Sequence, residues 1–290
     1  MPQISILILT YNSINFIGPC LDSVFNQDFS DFEIIVIDNG SRDGTANFIE
    51  NNYPQVKLVE NKLNLGACKA RNQGIEHASG DWIFTLDSDV VLKSGFISEA
   101  SRIIKFLPPD TGMIQPKILH TDKKTIYSAG IFLSRARRFF DIGKGKSDSG
   151  QLDKRRDIFG ACSAAALYNR QMLRELKEDT GYFDERFFFL VEDVDLSWRA
   201  KRKGWGCVFS PEICCYHYGN SSDHSERIRR SLCFKNRLLM ILKNEGIFGK
   251  IRLIPVFFFY DIPRWAFLIC NKTEEKSRKE VSVGTITQPT

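Results

Sequence analysis

The 290-residue sequence predicts an α/β protein with a mostly parallel central sheet between helices, followed by a C-terminal helical tail. Three observations carry that prediction. Over roughly the first 90 residues, strand-like apolar runs alternate with segments of helical spacing. Each of the longest apolar runs ends in a polar cluster, and the chain closes on a basic, aromatic-rich stretch.

Taken in order, Ile4-Ser5-Ile6-Leu7-Ile8-Leu9 is nearly continuously apolar, as expected of a strand covered on both faces. Residues 14–26 carry Phe16, Ile17, Cys20, Leu21 and Val24 on one helical side. Glu33-Ile34-Ile35-Val36-Ile37 is a second buried strand, and the Asp38-Asn39-Gly40-Ser41-Arg42-Asp43-Gly44-Thr45 run after it is a dense turn and helix-start signal. Residues 55–60 read as a third strand, 65–77 as a helix and 82–86 as a fourth strand. Such a β-α series makes parallel strands, whose ligands collect at the carboxyl ends. Further on, 94–106 and 192–203 read as helices, 113–119 and 161–168 as extended segments, and the polar 135–156 as a mobile loop. The division that follows is a domain over 1–224, in two halves, 1–92 and 93–224. Residues 225–290 are set apart as the tail.

Composition narrows the class. With 43% hydrophobic and 26% charged residues, the chain is neither disordered nor collagen-like nor a coiled coil. It has no run of about 18 apolar residues of the kind that spans a bilayer. Met1-Pro2-Gln3-Ile4-Ser5 lacks the basic-then-apolar pattern of a secretory leader, which predicts a cytoplasmic location. Eight cysteines without C-x-x-C spacing read as buried free thiols. The sequons at Asn39, Asn220 and Asn271 then carry no meaning.

Charge is unevenly spread. From Lys201 onward there are 16 basic and 8 acidic residues, leaving 24 basic and 27 acidic residues before it. An acidic body with a basic tail excludes a nucleic-acid binder, whose basic residues should cover the working domain. In the tail, Ile254-Pro255-Val256-Phe257-Phe258-Phe259-Tyr260 and Trp265-Ala266-Phe267-Leu268-Ile269 are flanked by basic residues. That pattern suits peripheral contact with an anionic membrane; the competing reading is a helix packed on the body.

The strand ends bring three polar clusters to one edge: Thr10-Tyr11-Asn12, Asp38-Asn39-Gly40-Ser41 and Asp87-Ser88-Asp89. Two carboxylates one residue apart can share a divalent cation, Mg²⁺ or Mn²⁺, and leave positions open for phosphate oxygens; a solvated turn is the bland reading. Asp38 can accept the imide N–H of a pyrimidine base on which Tyr11 stacks, or it can cap the next helix. Asn64-Leu65-Gly66 opens a helix whose amides can face a phosphate. Gly145-Lys146-Ser147 fails as a P-loop because Phe140 stands where the first glycine belongs. No G-x-G-x-x-G follows the first strand, against a dinucleotide-dependent dehydrogenase.

Residues 181–196 crowd five carboxylates among aromatics. Glu192, Asp193 and Asp195 fall in the first turn of a helix, where negative charge is favourable for structural reasons alone. The preceding wall, Tyr182-Phe183 and Phe187-Phe188-Phe189, asks for more, since a carboxylate against apolar surface is better placed to take a proton. His217, one of four histidines, is by itself more often structural than a ligand.

With these residues in place, the sequence resembles the family 2 glycosyltransferases of the GT-A fold, nearest to the rhamnosyltransferase and galactofuranosyltransferase-like branch. Segments 5–12, 35–44, 61–89 and 160–222 carry the likeness in order. The resemblance implies donor binding by Thr10, Tyr11, Asn12, Asp38, Asn39, Ser41, Asn64, Gly66, Asp87 and Ser88. It implies metal ligation by Asp87, Asp89 and His217, makes Asp193, with Glu192 beside it, the catalytic base, and so makes 1–92 the nucleotide-binding half and 93–224 the acceptor and base half. Processive synthases of the family carry Q-x-x-R-W and long membrane spans; only Trp198-Arg199, in reverse order, occurs here, which favours one sugar per acceptor. The implied activity is an inverting, metal-dependent hexosyl transfer from a UDP- or dTDP-sugar to a glycan or lipid-linked acceptor in cell-surface polysaccharide synthesis. A non-catalytic nucleotide-sugar-binding scaffold is one alternative. A sugar nucleotidyltransferase is another, but Thr10-Tyr11-Asn12 stands where its glycine-rich loop belongs.

Overall fold

The computed structural model describes residues 3–154, 156–219 and 226–270. Strands β1 (Ile4–Thr10), β2 (Phe32–Asp38), β3 (Lys57–Glu60) and β4 (Trp82–Asp87) alternate with helices α1 (Ile17–Phe25), α2 (Thr45–Asn52) and α3 (Ala67–His77). They pair in parallel, with β1 between β2 and β4. Along β1, Ile4, Ile6 and Ile8 enter one apolar core and Leu7 the other. Opposite-facing neighbours on a strand buried on both sides explain the continuous apolar run.

Beyond β4 the sheet gains antiparallel members. This part of the chain comprises β5 (Val90–Leu92), α4 (Phe96–Ile104), β6 (Thr111–His120), β7 (Ile126–Ser128), β8 (Ile131–Leu133), β9 (Phe139–Asp141), β10 (Arg156–Asp157), β11 (Ala165–Asn169), α5 (Arg170–Leu176), α6 (Glu192–Arg202) and β12 (Gly206–His217). The sheet runs β10-β12-β6-β11-β4-β1-β2-β3 and is mixed. Strand β11 inserts antiparallel to both β4 and β6, and β5 pairs antiparallel with β12. The inversion matters for the site: it sets the start of β11 beside the end of β4, where the Asp87 amide donates to the Ala164 carbonyl at 2.9 Å.

The described residues of 135–156, expected as a mobile loop, are instead fastened at several points. Strand β9 pairs with β8, Lys117 holds Asp148 at 2.9 Å and also Asp153, and Arg137 meets Glu245. The polar composition that reads as a loop supplies these anchoring charges.

The chain continues into α7 (Glu226–Asn244), α8 (Ile247–Val256), a π-helical turn (Phe257–Asp261) and α9 (Ile262–Cys270). Helix α7 packs on α6, with Asn236, Met240 and Asn244 buried. Lys243 reaches Glu178, Asp184 and Asp195 at 2.7, 2.9 and 3.0 Å, and the Asn244 amide donates to Asp195 at 2.6 Å. The region read as a separate tail therefore begins with a helix seated in the body's own core. Beyond it, Ile247, Phe248, Ile251, Ile254, Phe258 and Phe259 are exposed. No helix among the described residues is long and apolar enough to cross a membrane. The end of the tail, 271–290, and the sequons at Asn220 and Asn271 lie outside the described residues.

Candidate active site

A cavity of about 670 Å³ opens at the carboxyl edge of β1 and β4. Of the residues singled out from sequence, Tyr11, Asn39, Asn64, Gly66, Asp87, Ser88, Asp89, Glu192, Asp193 and His217 line it. Thr10, Asn12, Asp38 and Ser41 do not; they build the turns behind its rim.

Those turns have a clear logic. Thr10 and Asp38 stand side by side in the β1–β2 register. The Gly40 and Ser41 amides donate to Asp38 Oδ1 at 3.1 and 2.8 Å, so Asp38 closes its own turn, while α2 is entered later from Gly44. Asp38 Oδ2 and Thr10 Oγ1 are buried without a hydrogen-bond partner among the described residues. Such atoms are costly unless something fills the position. Asn12, at φ 50°, links the two turns: its amide donates to Ser41 Oγ at 2.8 Å and its Oδ1 accepts from the Arg42 amide at 2.9 Å.

Asn39 carries the next connection. Its Nδ2 donates to Asn64 Oδ1 at 2.9 Å, and its Oδ1 accepts from the Leu65 amide at 3.1 Å. Gly66 is required at the entry to α3: at φ +87° a Cβ would lie 2.5 Å from the Phe188 ring and 2.8 Å from the Phe188 carbonyl oxygen. The 64–66 turn and the segment before Asp193 are thereby packed against one another.

At the end of β4, ligand atoms of Asp87, Asp89 and His217 all lie within 4.8 Å of one another. His217 Nε2 is 3.0 Å from Asp89 Oδ1, and its ring meets Tyr127 edge-on with centroids 4.2 Å apart. Pairing of β5 with β12 delivers His217 opposite Val90 and so beside the D-x-D turn. Two carboxylates and an imidazole form a donor set that fits Mg²⁺ or Mn²⁺, with coordination positions left for phosphate oxygens. Burial raises the Asp87 carboxyl above its ordinary range, against the pull of Arg71.

Arg71 is the site residue that sequence reasoning missed. It is buried on α3 and donates to Glu192 Oε1 at 2.6 Å and to Asp87 Oδ1 at 2.9 Å. A signal was present: Ala67, Ala70, Arg71, Gly74 and Ile75 form the buried stripe of α3, and an arginine within an apolar stripe needs a buried partner.

In the same cavity, Asp193 Oδ2 accepts from the Ser163 amide at 3.3 Å and Oδ1 from the Val194 amide at 2.8 Å. Burial first, and then the Glu192 charge, push the Asp193 carboxyl up to about 7. Phe139, Phe140, Phe188 and Phe189 supply aromatic walls, and Asp141 and Lys144 a polar side.

Residues 5–177 match the sequence family described as glycosyl transferase family 2. The chain belongs to that family. Poly-beta-1,6-N-acetyl-D-glucosamine synthase of Staphylococcus epidermidis is 26% identical over 219 residues, 73% of this chain and 49% of the relative. This glycosyltransferase thus spans about half the length of the curated relatives it matches. Among solved structures, the mannosyltransferase PcManGT from Pyrobaculum calidifontis, in complex with GDP-Man and Mn²⁺, matches with a TM-score of 0.61 and 16% identity, over 93% of this chain and 73% of its own. TarS 1–349 of S. aureus in complex with UDP-GlcNAc gives a TM-score of 0.57 at 16% identity, over 92% and 79% of the two chains. These likenesses show the GT-A fold; the rhamnosyltransferase branch has no such support.

Proposed function

We propose that this family 2 glycosyltransferase moves a single hexose, rhamnose-like or other, with inversion, from a nucleotide-diphosphate donor to a hydroxyl of a glycan or lipid-linked acceptor. The observation that carries the reading is one cavity lined both by the Asp87, Asp89 and His217 donor set and by Asp193, whose carboxyl is pushed up by burial.

Asp38 Oδ2 and Thr10 Oγ1, left without a partner just behind the rim, suit the polar edge of a pyrimidine base that reaches past Tyr11 on the cavity wall. A carboxylate acceptor matches the imide N–H that uracil and thymine carry and cytosine lacks, which favours a UDP- or dTDP-sugar. Asp87, Asp89 and His217 would hold the divalent cation, which when bound stabilises negative charge on the departing diphosphate. Asp193 takes the acceptor hydroxyl proton as that oxygen bonds to the anomeric carbon. The bond from that carbon to the diphosphate breaks on the opposite face, and the sugar inverts. Aromatic faces at Phe139, Phe140, Phe188 and Phe189 flank the acceptor side, and Asp141 and Lys144 offer hydroxyl partners. The exposed apolar residues of α8 and the turn after it, with Lys250, Arg252 and Arg264 nearby, support peripheral contact with an anionic membrane where a lipid-linked acceptor resides.

The test is thermal stability with UDP, dTDP, GDP and CDP, each with Mn²⁺ or EDTA. Saturation at about 100 times the dissociation constant adds roughly 2.7 kcal/mol. A shift with UDP or dTDP that EDTA abolishes is expected; equal shifts with and without metal would reject the metal-dependent reading.

A further inference from the structure

The segment that delivers Asp193 follows an improbable backbone path. Phe188 (φ 62°, ψ −58°), Leu190 (φ 71°) and Val191 (φ 75°, ψ −9°) all lie at positive φ, where bulky and β-branched residues are rarely found. They account for three of the six non-glycine positive-φ positions among the described residues, and all three fall within five residues of Asp193. Such a path persists only where its surroundings impose it.

One side of that imposition is α3, whose Cys68 amide donates to the Phe188 carbonyl at 3.2 Å. The other is Asn236 of α7, fully buried. Its Nδ2 lies 2.9 Å from the Phe187 carbonyl oxygen and 2.8 Å from each of those of Phe189 and Leu190. Three carbonyls from four consecutive residues converge on one amide group, whose two N–H bonds are shared among them. The twists at 188 and 190 turn these carbonyls to a common point, and only a donor can occupy it. A carboxylate there would face three acceptors. Helix α7 itself is fixed against α6 by Lys243 and Asn244 on Asp195, so Asn236 holds the strained segment from a firm base.

We infer that Asn236 is a positioning residue for the sugar-transfer step, fixing the backbone of 187–191 so that Asp193 faces the cavity. The inference rests on the reading of Asp193 as the base. It gives the C-terminal helix a part in the reaction, though α7 lies beyond the 5–177 family match.

The test uses the full chain with Asn236→Ala and with Asn236→Ser, which keeps one donor. Hydrogen–deuterium exchange without ligand comes first. Amides of 188–195 are expected to exchange about tenfold faster in the Ala variant, less so in the Ser variant, with β1, β4 and α3 unchanged. Affinity for UDP with Mn²⁺ should stay within about twofold, because the hydrogen bonds that shape the Asp38, Asn39 and Asn64 turns do not pass through 187–191. Mn²⁺-dependent hydrolysis is then followed with UDP-GlcNAc, UDP-glucose and dTDP-rhamnose. For the donor the native protein cleaves, kcat should fall about 10–100-fold at constant KM. Adding Leu190→Gly to Asn236→Ala should recover part of that loss, since glycine adopts positive φ without strain. Unchanged exchange at 188–195, or faster exchange spread over the whole sheet, overturns the inference. Asp193→Asn is measured alongside. If it cleaves donor at the native rate, the base reading fails on its own account, whereas an inactive Asp193→Asn with a fully active Asn236→Ala defeats only the role of Asn236.

Discussion

Arg71 holds Glu192 at 2.6 Å with one guanidinium nitrogen and Asp87 at 2.9 Å with another, so one buried side chain of α3 ties the end of β4 to the start of α6. Both acids line the cavity. Removing Arg71 leaves Glu192 buried and unpaired, and breaking a buried pair from one side costs about 3–5 kcal/mol. Arg71→Met is therefore expected to lower Tm by roughly 6–20 °C on the scale of about 2–4 °C per kcal/mol for a large single domain, with transfer lost as well. Adding Glu192→Gln should restore part of the Tm, because the stranded charge is gone. An unchanged melting curve for Arg71→Met would show that the bridge contributes nothing.

As the proposed base, Asp193 is expected to set the pH response. A base works unprotonated, and its carboxyl is pushed up to about 7, foremost by burial and then by the Glu192 charge. Activity should therefore rise with pH through about 7, with kcat/KM falling tenfold per unit on the acid side. Glu192→Gln removes the like charge and should move that limb to lower pH. Asp193→Asn should cost about 10²–10⁴-fold in kcat while UDP affinity is retained. A flat pH–rate profile between 5 and 8, or near-native turnover by the Asn variant, would remove Asp193 from the role.

The Asp87, Asp89 and His217 cluster makes a separable prediction. Asp89→Ala and His217→Ala each delete one ligand atom from a set spanning 4.8 Å. Both variants should lose the Mn²⁺-dependent part of nucleotide stabilisation, leaving only the metal-independent part seen in EDTA. Titration calorimetry of UDP with and without Mn²⁺ reads this directly, and native metal dependence in Asp89→Ala would exclude that carboxylate as a ligand.

Much of this was legible in the chain because local signals and global fold agree. Continuous apolar runs marked β1, β2 and β4, and the polar turns after them marked the cavity edge. What escaped was long-range. The antiparallel entry of β11 follows from where a later segment finds room between β4 and β6, which no window of sequence encodes. Arg71 looks like an ordinary helix residue until its partners, 16 and 121 positions away, are known. The 135–156 stretch reads as a loop because its charges, paired with Lys117 and Glu245, look solvated in isolation. Helix α7 was set apart with the tail because its buried stripe is partly polar: Asn236, Arg237 and Asn244 stand where apolar residues would announce a core helix.

That last point changes how membrane contact must be tested. Truncation near residue 225 would remove Asn236, Met240 and Lys243 with the tail and expose the face of α6 that they cover, so lost flotation would report unfolding. Substitutions on the outer face avoid this. Ile247, Ile251, Ile254 and Phe258 follow at helical spacing, and Phe248 and Phe259 are each 85% exposed. Their side chains touch little of the body, so Phe248→Ser with Phe259→Ser should leave Tm within about 1–2 °C, as surface changes do. Full burial of one such ring is worth about 1.5–3 kcal/mol. The double variant should therefore lose most flotation with phosphatidylglycerol vesicles while keeping UDP affinity. High salt should weaken what remains, because Lys250, Arg252 and Arg264 contribute through screened charge. Equal flotation of native protein and double variant would mean that this face does not meet lipid.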